Sequence, residues 1–270
     1  MSAIEVKDLW KAYGDTVILE KVSLSIRSGA FVSLVGPSGC GKSTFLRIVL
    51  GQETQTRGTI TIDGEPLSAE PSVDRGVVFQ RYSVFPHLTV TGNVMLGLEL
   101  AQSPILNRLF GKARKAAKDE ALEWVNHVGL GHAADKYPHE LSGGMQQRLA
   151  IAQAMIKKPK ILLLDEPFGA LDPGIRADMH KLMRTLWEET GMTVIMVSHD
   201  LPEAFSLGTR VIAFDRTKDR PEEQNAYGAT ITFDVETKQP FKAMWKPEPV
   251  TIEDMKEEMG EELWNNAISM

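Results

Sequence analysis

The first third of the chain is predicted to be rich in β-strands. Strand-length apolar runs occupy Ile4 to Leu9, Val17 to Ile26, Phe31 to Val35 and Thr59 to Ile62. The second run alternates apolar and polar positions, which is typical of a strand with one buried face. The third run is continuous and ends at Gly36, which indicates a fully buried strand. Helical spacing from Lys42 to Leu50 follows, so the pattern predicts a strand, a glycine-rich loop and a helix in that order.

The middle of the chain is predicted to be a helical insertion. Helical periodicity extends from about Leu88 to Ala154. One segment of it carries a cluster of basic residues, Arg108, Lys112, Arg114, Lys115 and Lys118. Strand patterns return at Ile161 to Leu164 and at Thr193 to Val197, separated by a helix-like span from Asp178 to Glu189. Strands that alternate with helices predict a parallel sheet, and therefore an α/β fold.

The chain after Asp215 has a different pattern. A polar, proline-containing stretch over residues 216–225 precedes one alternating strand, Thr230 to Val235. A helix is predicted next because Thr251 and Asp254 fit a capping box. Its apolar positions fall three or four residues apart at Ile252, Met255, Met259 and Leu263. This helix either docks on its own domain or binds a partner, and the pattern leaves both open.

Charge argues against one class of partner. The 270 residues contain 30 lysines and arginines against 36 aspartates and glutamates, a net charge of −6, which disfavours a protein that binds nucleic acid phosphates. We therefore expect no nucleic acid partner. Most of the negative charge belongs to residues 216–270, which carry 7 basic and 12 acidic side chains. Cys40 is the sole cysteine, so no intrachain disulfide is possible and a reducing compartment is expected.

Targeting signals are missing from the pattern. The start of the chain lacks the basic and apolar regions of a signal peptide. No run approaches the roughly 18 apolar residues that a membrane-spanning helix needs. The sequence therefore predicts a protein that reaches a membrane only through a partner.

A phosphate-binding loop follows the continuous apolar strand. The pattern G-x-x-x-x-G-K-[ST] is matched at every fixed position by Gly36-Pro37-Ser38-Gly39-Cys40-Gly41-Lys42-Ser43. Glycines let the backbone curl so that amide groups converge on phosphate oxygens at a helix amino terminus. Lys42 is expected to reach the β- and γ-phosphates of a nucleotide, and the Ser43 hydroxyl to bind Mg²⁺. Thr44 is a further nucleotide-binding candidate. Cys40 either fills space or, if its thiol reacts, makes nucleotide binding sensitive to alkylation.

Two carboxylates stand at the end of a predicted buried strand. Ile161 to Leu164 is followed directly by Asp165 and Glu166. In an open α/β sheet the carboxyl ends of strands face the ligand crevice. Asp165 is therefore expected to hold the metal, and Glu166 to polarise the water that attacks the γ-phosphate. Together with the phosphate loop, this pair predicts a nucleoside triphosphatase.

A third motif opens the helix-like run from Met145 to Lys157. It consists of Leu141-Ser142-Gly143-Gly144-Met145-Gln146-Gln147-Arg148. With this motif the chain resembles the ATP-binding cassette (ABC) ATPases, whose signature is similar to LSGGQ, over roughly residues 4–215. The resemblance implies a head-to-tail homodimer that holds two ATP molecules, each between Lys42 of one subunit and Ser142, Gly143 and Gly144 of the other. A helix N-cap is a second role for Ser142, and the two roles are compatible.

Four further positions match the ABC family in the family's order. Tyr13 is similar to the aromatic residue that stacks on adenine, although a lone tyrosine near a strand also fits the core or its rim. Gln80 matches the glutamine that contacts Mg²⁺ and the attacking water. The loop that communicates across the dimer is matched by Gly169-Ala170-Leu171-Asp172, and Asp172 is a nucleotide-binding candidate. His199 matches the histidine that contacts the γ-phosphate.

The resemblance implies the ABC ATPase fold, an α/β fold with a RecA-like P-loop NTPase core, an N-terminal antiparallel β subdomain, a helical insertion and a short C-terminal tail. The corresponding boundaries are residues 1–87 with 156–215 for the core and β subdomain, 88–155 for the helical signature subdomain, and 216–270 for the acidic extension. The catalytic candidates are Lys42, Gln80, Glu166 and His199, and the metal candidates are Ser43, Gln80 and Asp165. ATP and Mg²⁺ are the implied substrate and cofactor.

Features that the sequence lacks exclude some cellular roles of ABC ATPases. Lys42 and Ser142 lie 100 positions apart without heptads between them, which excludes the long coiled-coil insertions of ABC ATPases in DNA repair. A chain with one cassette and no membrane-spanning helix is therefore expected to be a separate motor subunit of a transporter. The alternative is an ABC ATPase that drives lipid traffic, export or a non-transport partner.

Within the family the chain is similar to bacterial importer ATPases, nearest to the nitrate, sulfonate and taurine type. That similarity implies integral membrane permease subunits, a solute-binding protein, and a peripheral place on the cytoplasmic face of the plasma membrane. The segment from Arg81 to Val90 is the implied groove for a short helix of the permease, with Phe85 and Leu88 as expected contacts. Local core packing is the alternative role for these apolar residues.

Overall fold

The computed structural model describes residues 2–68, 70–80, 83–102, 109–216 and 227–237. Its elements in chain order are β1 (Ser2–Tyr13), β2 (Thr16–Arg27), β3 (Phe31–Val35), α1 (Lys42–Leu50), β4 (Arg57–Ile62), β5 (Glu65–Pro66), β6 (Arg75–Val78), α2 (Val90–Gln102), α3 (Gly111–His127), α4 (Gly143–Met155), β7 (Ile161–Asp165), α5 (Pro173–Thr190), β8 (Thr193–Val197), α6 (Leu201–Leu207), β9 (Arg210–Asp215) and β10 (Thr230–Glu236). Short 3-10 turns at Gly131–Ala133 and Pro138–Glu140 lie between α3 and α4. The chain divides into two compact units, one formed by residues 1–71 with 191–270 and the other by residues 72–190.

The first unit opens with a four-stranded antiparallel sheet in the order β2-β1-β4-β5. Pairs such as Ile4 with Ile26 and Val6 with Leu24 set the register between β1 and β2. Burial alternates along the second half of β2 because successive side chains of a strand point to opposite faces. The β-rich opening predicted from the sequence is therefore confirmed.

The same unit contains a parallel arrangement around β3. β3 pairs in parallel with β8 on one side and with β9 on the other. Every residue of β3 and β8 is buried, and α1 and α6 pack against these strands. Because β3 and β8 are parallel neighbours, the residues that follow them lie at the same edge of the sheet. The phosphate loop follows β3, and His199 follows β8.

Part of the tail extends this sheet. β10 pairs antiparallel with β9, and Arg210 donates two hydrogen bonds to the Asp234 carboxylate at 2.7 and 2.6 Å. The backbone of Ala229 also bonds to β2, at 2.8 and 2.9 Å. The predicted strand Thr230 to Val235 is confirmed, whereas the helix predicted over residues 251–263 lies outside the described residues.

The second unit combines a pair of parallel strands, β6 and β7, with a layer of helices. α2, α3 and α4 share one apolar core, which includes Val94, Val125 and Leu149. α4 also approaches α5 closely because Gly144 has no side chain: a Cβ there would lie 2.5 Å from Ile175 Cγ2. The predicted helical insertion is thus confirmed by α2, α3 and α4.

Two further expectations from the sequence concern membrane-spanning helices and the boundaries of the subdomains. Within the described ranges no helix has both the length and the apolar character needed to cross a membrane. The boundaries expected from the family resemblance, at residues 87, 155 and 215, stay a prediction.

Candidate nucleotide site

The phosphate loop connects β3 to α1 through three glycines in the left-handed region. Gly36, Gly39 and Gly41 have φ angles of 140°, 81° and 95°. Close neighbours add a second requirement at two of them. A Cβ at Gly36 would lie 2.1 Å from the Phe214 carbonyl oxygen, and one at Gly41 would lie 2.8 Å from Leu19 Cδ2. Glycine is therefore needed at these positions for the curl that a phosphate loop requires.

Lys42 is buried at the first position of α1. Its Nζ donates hydrogen bonds to the carbonyl oxygens of Gly36 and Pro37, at 2.7 and 2.9 Å. The loop therefore wraps around the ammonium group. A cation in that position complements phosphate oxygens.

The start of α1 suits an anion. Gly41 is the N-cap and supplies no side-chain cap, and the first turn contains no acidic residue. Backbone amides at the beginning of a helix, together with the helix dipole, favour negative charge. Ser43 and Thr44 place hydroxyl groups in this first turn, and hydroxyl oxygens are hard ligands of the kind that Mg²⁺ accepts. The backbone amides of this segment therefore fit phosphate oxygens, and its hydroxyl oxygens fit Mg²⁺.

Cys40 lies in the loop with only 4% of its surface exposed. Burial raises the pKa of its thiol, and the Lys42 ammonium, 3.7 Å from Sγ, offsets that rise only in part. A buried, protonated thiol is a poor nucleophile. The geometry therefore favours the space-filling role over sensitivity to alkylation.

Tyr13 is anchored by its hydroxyl group while much of its ring stays accessible. The side chain is 47% exposed, the hydroxyl donates to the Glu53 carboxylate, and the Lys11 ammonium lies 4.7 Å from the ring centroid. Desolvation and the bond to Glu53 raise the pKa of the tyrosine. Glu53 also pairs with Lys11 at 3.3 Å and with Arg47 at 3.5 Å. The ring thus lies at the rim of the first unit, with an orientation set by Glu53.

His199 follows β8 in a loop that buried groups hold. Ser198 donates a hydrogen bond to the Glu203 carboxylate at 2.5 Å and accepts one from the Asp200 amide at 3.0 Å. Asp200 caps α6 by accepting from the Glu203 amide at 3.0 Å. Ser198 and Glu203 are buried, whereas His199 is exposed. The imidazole therefore projects from a backbone that is fixed on both sides.

The second unit holds the two carboxylates. Asp165 is the last residue of β7, and Glu166 follows with a φ angle of 47°, a conformation that strains residues other than glycine. Gln80 Nε2 donates a hydrogen bond to Glu166 Oε2 at 3.2 Å. β6 and β7 are parallel neighbours, so the residues after them lie together. The structure thus brings the predicted glutamine to the predicted general base.

The loop after these carboxylates is anchored by Phe168. This side chain is fully buried and meets the His180 ring edge-on, with 5.1 Å between centroids. The Leu171 amide donates to the Phe168 carbonyl at 3.1 Å, and the Arg176 guanidinium donates to the Leu171 carbonyl at 3.2 Å. Asp172 is therefore presented, exposed, from an ordered turn at the start of α5.

Ser142 begins α4, the helix of the signature motif. Its hydroxyl accepts a hydrogen bond from the Met145 amide at 3.4 Å, so the N-cap role is confirmed. Ser142 and Gly143 are exposed, whereas Gly144 is buried against α5. The Gln146 side chain fixes the preceding loop by donating to two of its carbonyl oxygens, at 3.0 and 3.2 Å. An exposed hydroxyl beside helix amides is suited to binding an anion.

The loop before α2 is organised by one buried side chain. Asn93 accepts a hydrogen bond from the Phe85 amide at 2.7 Å and donates to the carbonyl oxygens of Phe85, Leu88 and Thr89, each at 3.0 Å. Phe85 is 39% exposed, and Leu88 is half-buried. Residues 81–82 of the predicted permease segment lie outside the described ranges. The described part of this loop is therefore a surface whose backbone Asn93 holds and on which the Phe85 ring is accessible.

The candidate residues are divided between the two units. The first unit contains Tyr13, the phosphate loop with Lys42, Ser43 and Thr44, and His199. The second contains Gln80, Ser142, Gly143, Gly144, Asp165, Glu166 and Asp172. Sequence reasoning missed three supporting residues, Glu53, Asn93 and Glu203. Of these, Glu203 had a usable signal, because Asp200 and Glu203 have the spacing of a helix capping box.

Comparison with known proteins shows which family the chain is similar to. The ABC transporter family profile matches residues 19–169. The aliphatic sulfonates import ATP-binding protein of Bacillus anthracis is 42% identical over 206 residues, which cover 76% of this chain and 77% of that protein. The nitrate import ATP-binding protein of Synechocystis is 42% identical over 212 residues, which cover 77% of this chain and 76% of that protein.

A solved structure agrees in fold. The ATP-binding cassette MJ0796, in a dimeric post-hydrolysis state bound to ADP and Pi, superposes with a TM-score of 0.69 at 31% identity. The match covers 86% of this chain and 98% of the cassette. The α/β fold of an ABC ATPase, predicted from the sequence motifs, is therefore confirmed.

Proposed function

The chain belongs to the ABC transporter family, and we propose that it is the motor subunit of a bacterial importer of a small solute such as nitrate, sulfonate or taurine. It is an ATP-binding cassette ATPase, which uses ATP with Mg²⁺. Two relatives of similar length are named for the import of aliphatic sulfonates and of nitrate. Their names supply the solute class that we propose for this chain.

One observation carries the hydrolytic part of the proposal, the 3.2 Å hydrogen bond from Gln80 to Glu166. It orients the carboxylate at the end of β7. A carboxylate held in this way is suited to accept a proton from water that attacks a γ-phosphate, and the glutamine amide is suited to orient the same water. We therefore assign Glu166 as the general base and Gln80 as the group that positions it.

The nucleotide contacts are assigned from the same family positions. Lys42 and the amides of the phosphate loop would neutralise charge on the β- and γ-phosphates, and His199 would contact the γ-phosphate. Ser43, Gln80 and Asp165 are the proposed Mg²⁺ ligands. Bound Mg²⁺ supplies charge neutralisation at the transferred phosphate. Tyr13, with its ring held by Glu53, is the proposed platform for adenine.

We further propose a head-to-tail homodimer. ATP would lie between the phosphate loop of one subunit and Ser142, Gly143 and Gly144 of the other. Support comes from the exposed start of α4, which presents a hydroxyl and helix amides outward. The related cassette MJ0796 is dimeric. Asp172, exposed at the start of α5, is the proposed contact across the dimer.

The loop that Asn93 holds is the proposed contact with the permease. Phe85 offers an accessible aromatic ring on a fixed backbone, and Leu88 lies half-buried beside it along the chain. Such a surface suits a short apolar helix of a membrane partner. On this proposal the chain works as a peripheral subunit at the cytoplasmic face of the plasma membrane, and a solute-binding protein completes the importer.

Purification of the tagged full chain from membranes in mild detergent tests the transport role. We expect a polytopic membrane protein in near-equal amount, and ATPase activity that rises when the solute and its binding protein are supplied. An active ATPase that never retains a membrane partner would contradict the transport role. It would leave the ATPase assignment intact, so the two parts of the proposal are tested separately.

A further inference from the structure

The first two turns of α3 carry four exposed basic side chains. Lys112, Arg114, Lys115 and Lys118 lie within eight residues that contain no acidic side chain, in a chain whose net charge is −6. Phe110 immediately precedes them and is 69% exposed. We call these five residues the basic surface of α3. None of the contacts assigned above to ATP, to a second subunit or to a permease uses this surface.

These charges do not stabilise the helix that carries them. The three lysines recur every third position, so like charges are neighbours on one side of the helix, and such pairs are destabilising. They also lie at the positive end of the helix dipole, where the first turn has no acidic residue and Phe110 supplies no side-chain cap. Within the described ranges no ion pair involves any of the four. Later in the same helix, by contrast, Glu120 pairs with Lys158 at 2.9 Å.

Exposed apolar side chains also occur near the end of α2 and immediately before α3. Leu109 packs into the helical core, whereas the adjacent Phe110 does not. Leu100, near the end of α2, is 48% exposed, and α2 packs against α3. Exposed aromatic and aliphatic side chains next to lysines and arginines are typical of protein surfaces that meet the headgroup region of a bilayer.

We propose that the basic surface of α3 binds the anionic headgroups of the lipid bilayer. Four cations that form no ion pair with the described residues complement a negatively charged lipid surface, and Phe110 is suited to enter the boundary between headgroups and acyl chains. Anionic headgroups would relieve the repulsion among the three lysines. Through this surface the ATPase would bind lipid directly, independently of any contact with a permease.

The expected size of the effect follows from the number of charges. Each lysine or arginine near an anionic membrane adds a factor of about five to binding, and the attraction is screened by salt. Reversing two of the four charges is therefore expected to weaken binding by at least about 25-fold. Loss of the aromatic ring alone, as in Phe110→Ser, is expected to weaken it several-fold without changing the dependence on salt.

Sedimentation of the purified full chain with vesicles tests the proposal. The probes are vesicles of phosphatidylcholine alone and of phosphatidylcholine mixed with phosphatidylglycerol, each at low and high salt. Lys115→Glu with Lys118→Glu is the test variant. Lys7→Glu with Lys21→Glu is the matched control, because both lysines are exposed on the first unit and the change in net charge is the same. ATPase activity of each variant checks that it is folded.

We expect binding to the anionic vesicles alone, lost in the test variant and kept in the control. Equal binding to both kinds of vesicle, or full binding by the test variant, would overturn the proposal. A third outcome would also overturn it: unchanged vesicle binding together with loss of permease in detergent, where no bilayer exists. That result would assign the basic surface to an acidic segment of a protein partner.

Discussion

Single residues of the phosphate loop lie close enough to alter one another's chemistry. Lys42 Nζ is 3.7 Å from Cys40 Sγ, and an ammonium group at that distance favours the thiolate. Burial disfavours the thiolate more strongly, so the pKa of Cys40 lies above its ordinary value. A raised pKa means less thiolate at any given pH, and the reactive fraction grows only at a more alkaline pH than in a free cysteine.

We therefore expect iodoacetamide to modify Cys40 at about pH 8 roughly tenfold more slowly in the folded protein than in the urea-unfolded chain, because burial and the raised pKa act in the same direction. The rate should keep rising with pH beyond the range in which the unfolded chain levels off. Mass spectrometry of timed samples measures both rates. Equal rates in the two states would contradict the assignment of Cys40 as a buried, protonated thiol.

A second prediction concerns the loop that carries His199. Ser198→Ala removes a buried hydrogen bond to the Glu203 carboxylate, and such a bond contributes about 2 kcal/mol to the free energy of unfolding. We also expect kcat for ATP hydrolysis to fall several-fold with little change in KM, since the imidazole loses its fixed backbone. Urea unfolding and steady-state kinetics measure the two effects.

Ser206→Ala is the control for this change, because the Ser206 hydroxyl donates a hydrogen bond to the backbone carbonyl of Glu203. We expect the control to keep normal kcat. If Ser198→Ala lowers stability and keeps kcat as well, the loop has a structural role only.

Residues of the site differ in how well the sequence predicts them. The phosphate loop was predictable because the spacing of its glycines and of Lys42 is itself the signal. Glu53 was not, because it lies 40 positions from Tyr13 and the fold alone brings the two together. The same holds for Asn93, whose bonds to the backbone of the preceding loop depend on how that loop turns into α2.

At the scale of elements, the extent of burial among the strands determines how clearly the sequence pattern predicts each one. β3 and β8 are buried along their whole length, so they appear as unbroken apolar runs. β9 was not predicted from the sequence. Its end residues, Arg210 and Asp215, are charged and only half-buried, so the strand does not form an unbroken apolar run. α5 begins at Pro173, before the predicted start at Asp178, because a proline fits the first position of a helix.

The loop before α2 gives a prediction at this scale. Phe85→Ser is expected to lower the free energy of unfolding by only about 1 kcal/mol, because the side chain is partly exposed and the Asn93 bonds involve only its backbone. Recovery of the permease with the tagged chain should fall several-fold while ATPase activity of the free subunit is kept. Val73→Ser, at another exposed apolar residue of the same unit, is the control. Full recovery of the permease would remove Phe85 from the proposed interface.

At the scale of the whole molecule, neither unit carries the full set of candidate residues. The phosphate loop and His199 belong to the first unit, and the carboxylates and the signature helix belong to the second. The ABC motifs made this inventory predictable, because each is a local pattern of sequence. We propose that two chains close on ATP and that hydrolysis through Glu166 releases them.

Glu166→Gln tests that claim most directly, with oligomeric state and ATPase rate measured on the same sample in the presence of Mg²⁺ and ATP. Loss of the general base should lower kcat by at least about 100-fold while ATP still binds, so the variant should remain a dimer with ATP enclosed. Glu123→Gln, at an exposed glutamate of α3, should behave as the unaltered protein does. A Glu166→Gln variant that hydrolyses ATP at the normal rate would remove Glu166 as the general base, and one that binds ATP and stays monomeric would contradict dimer closure on ATP.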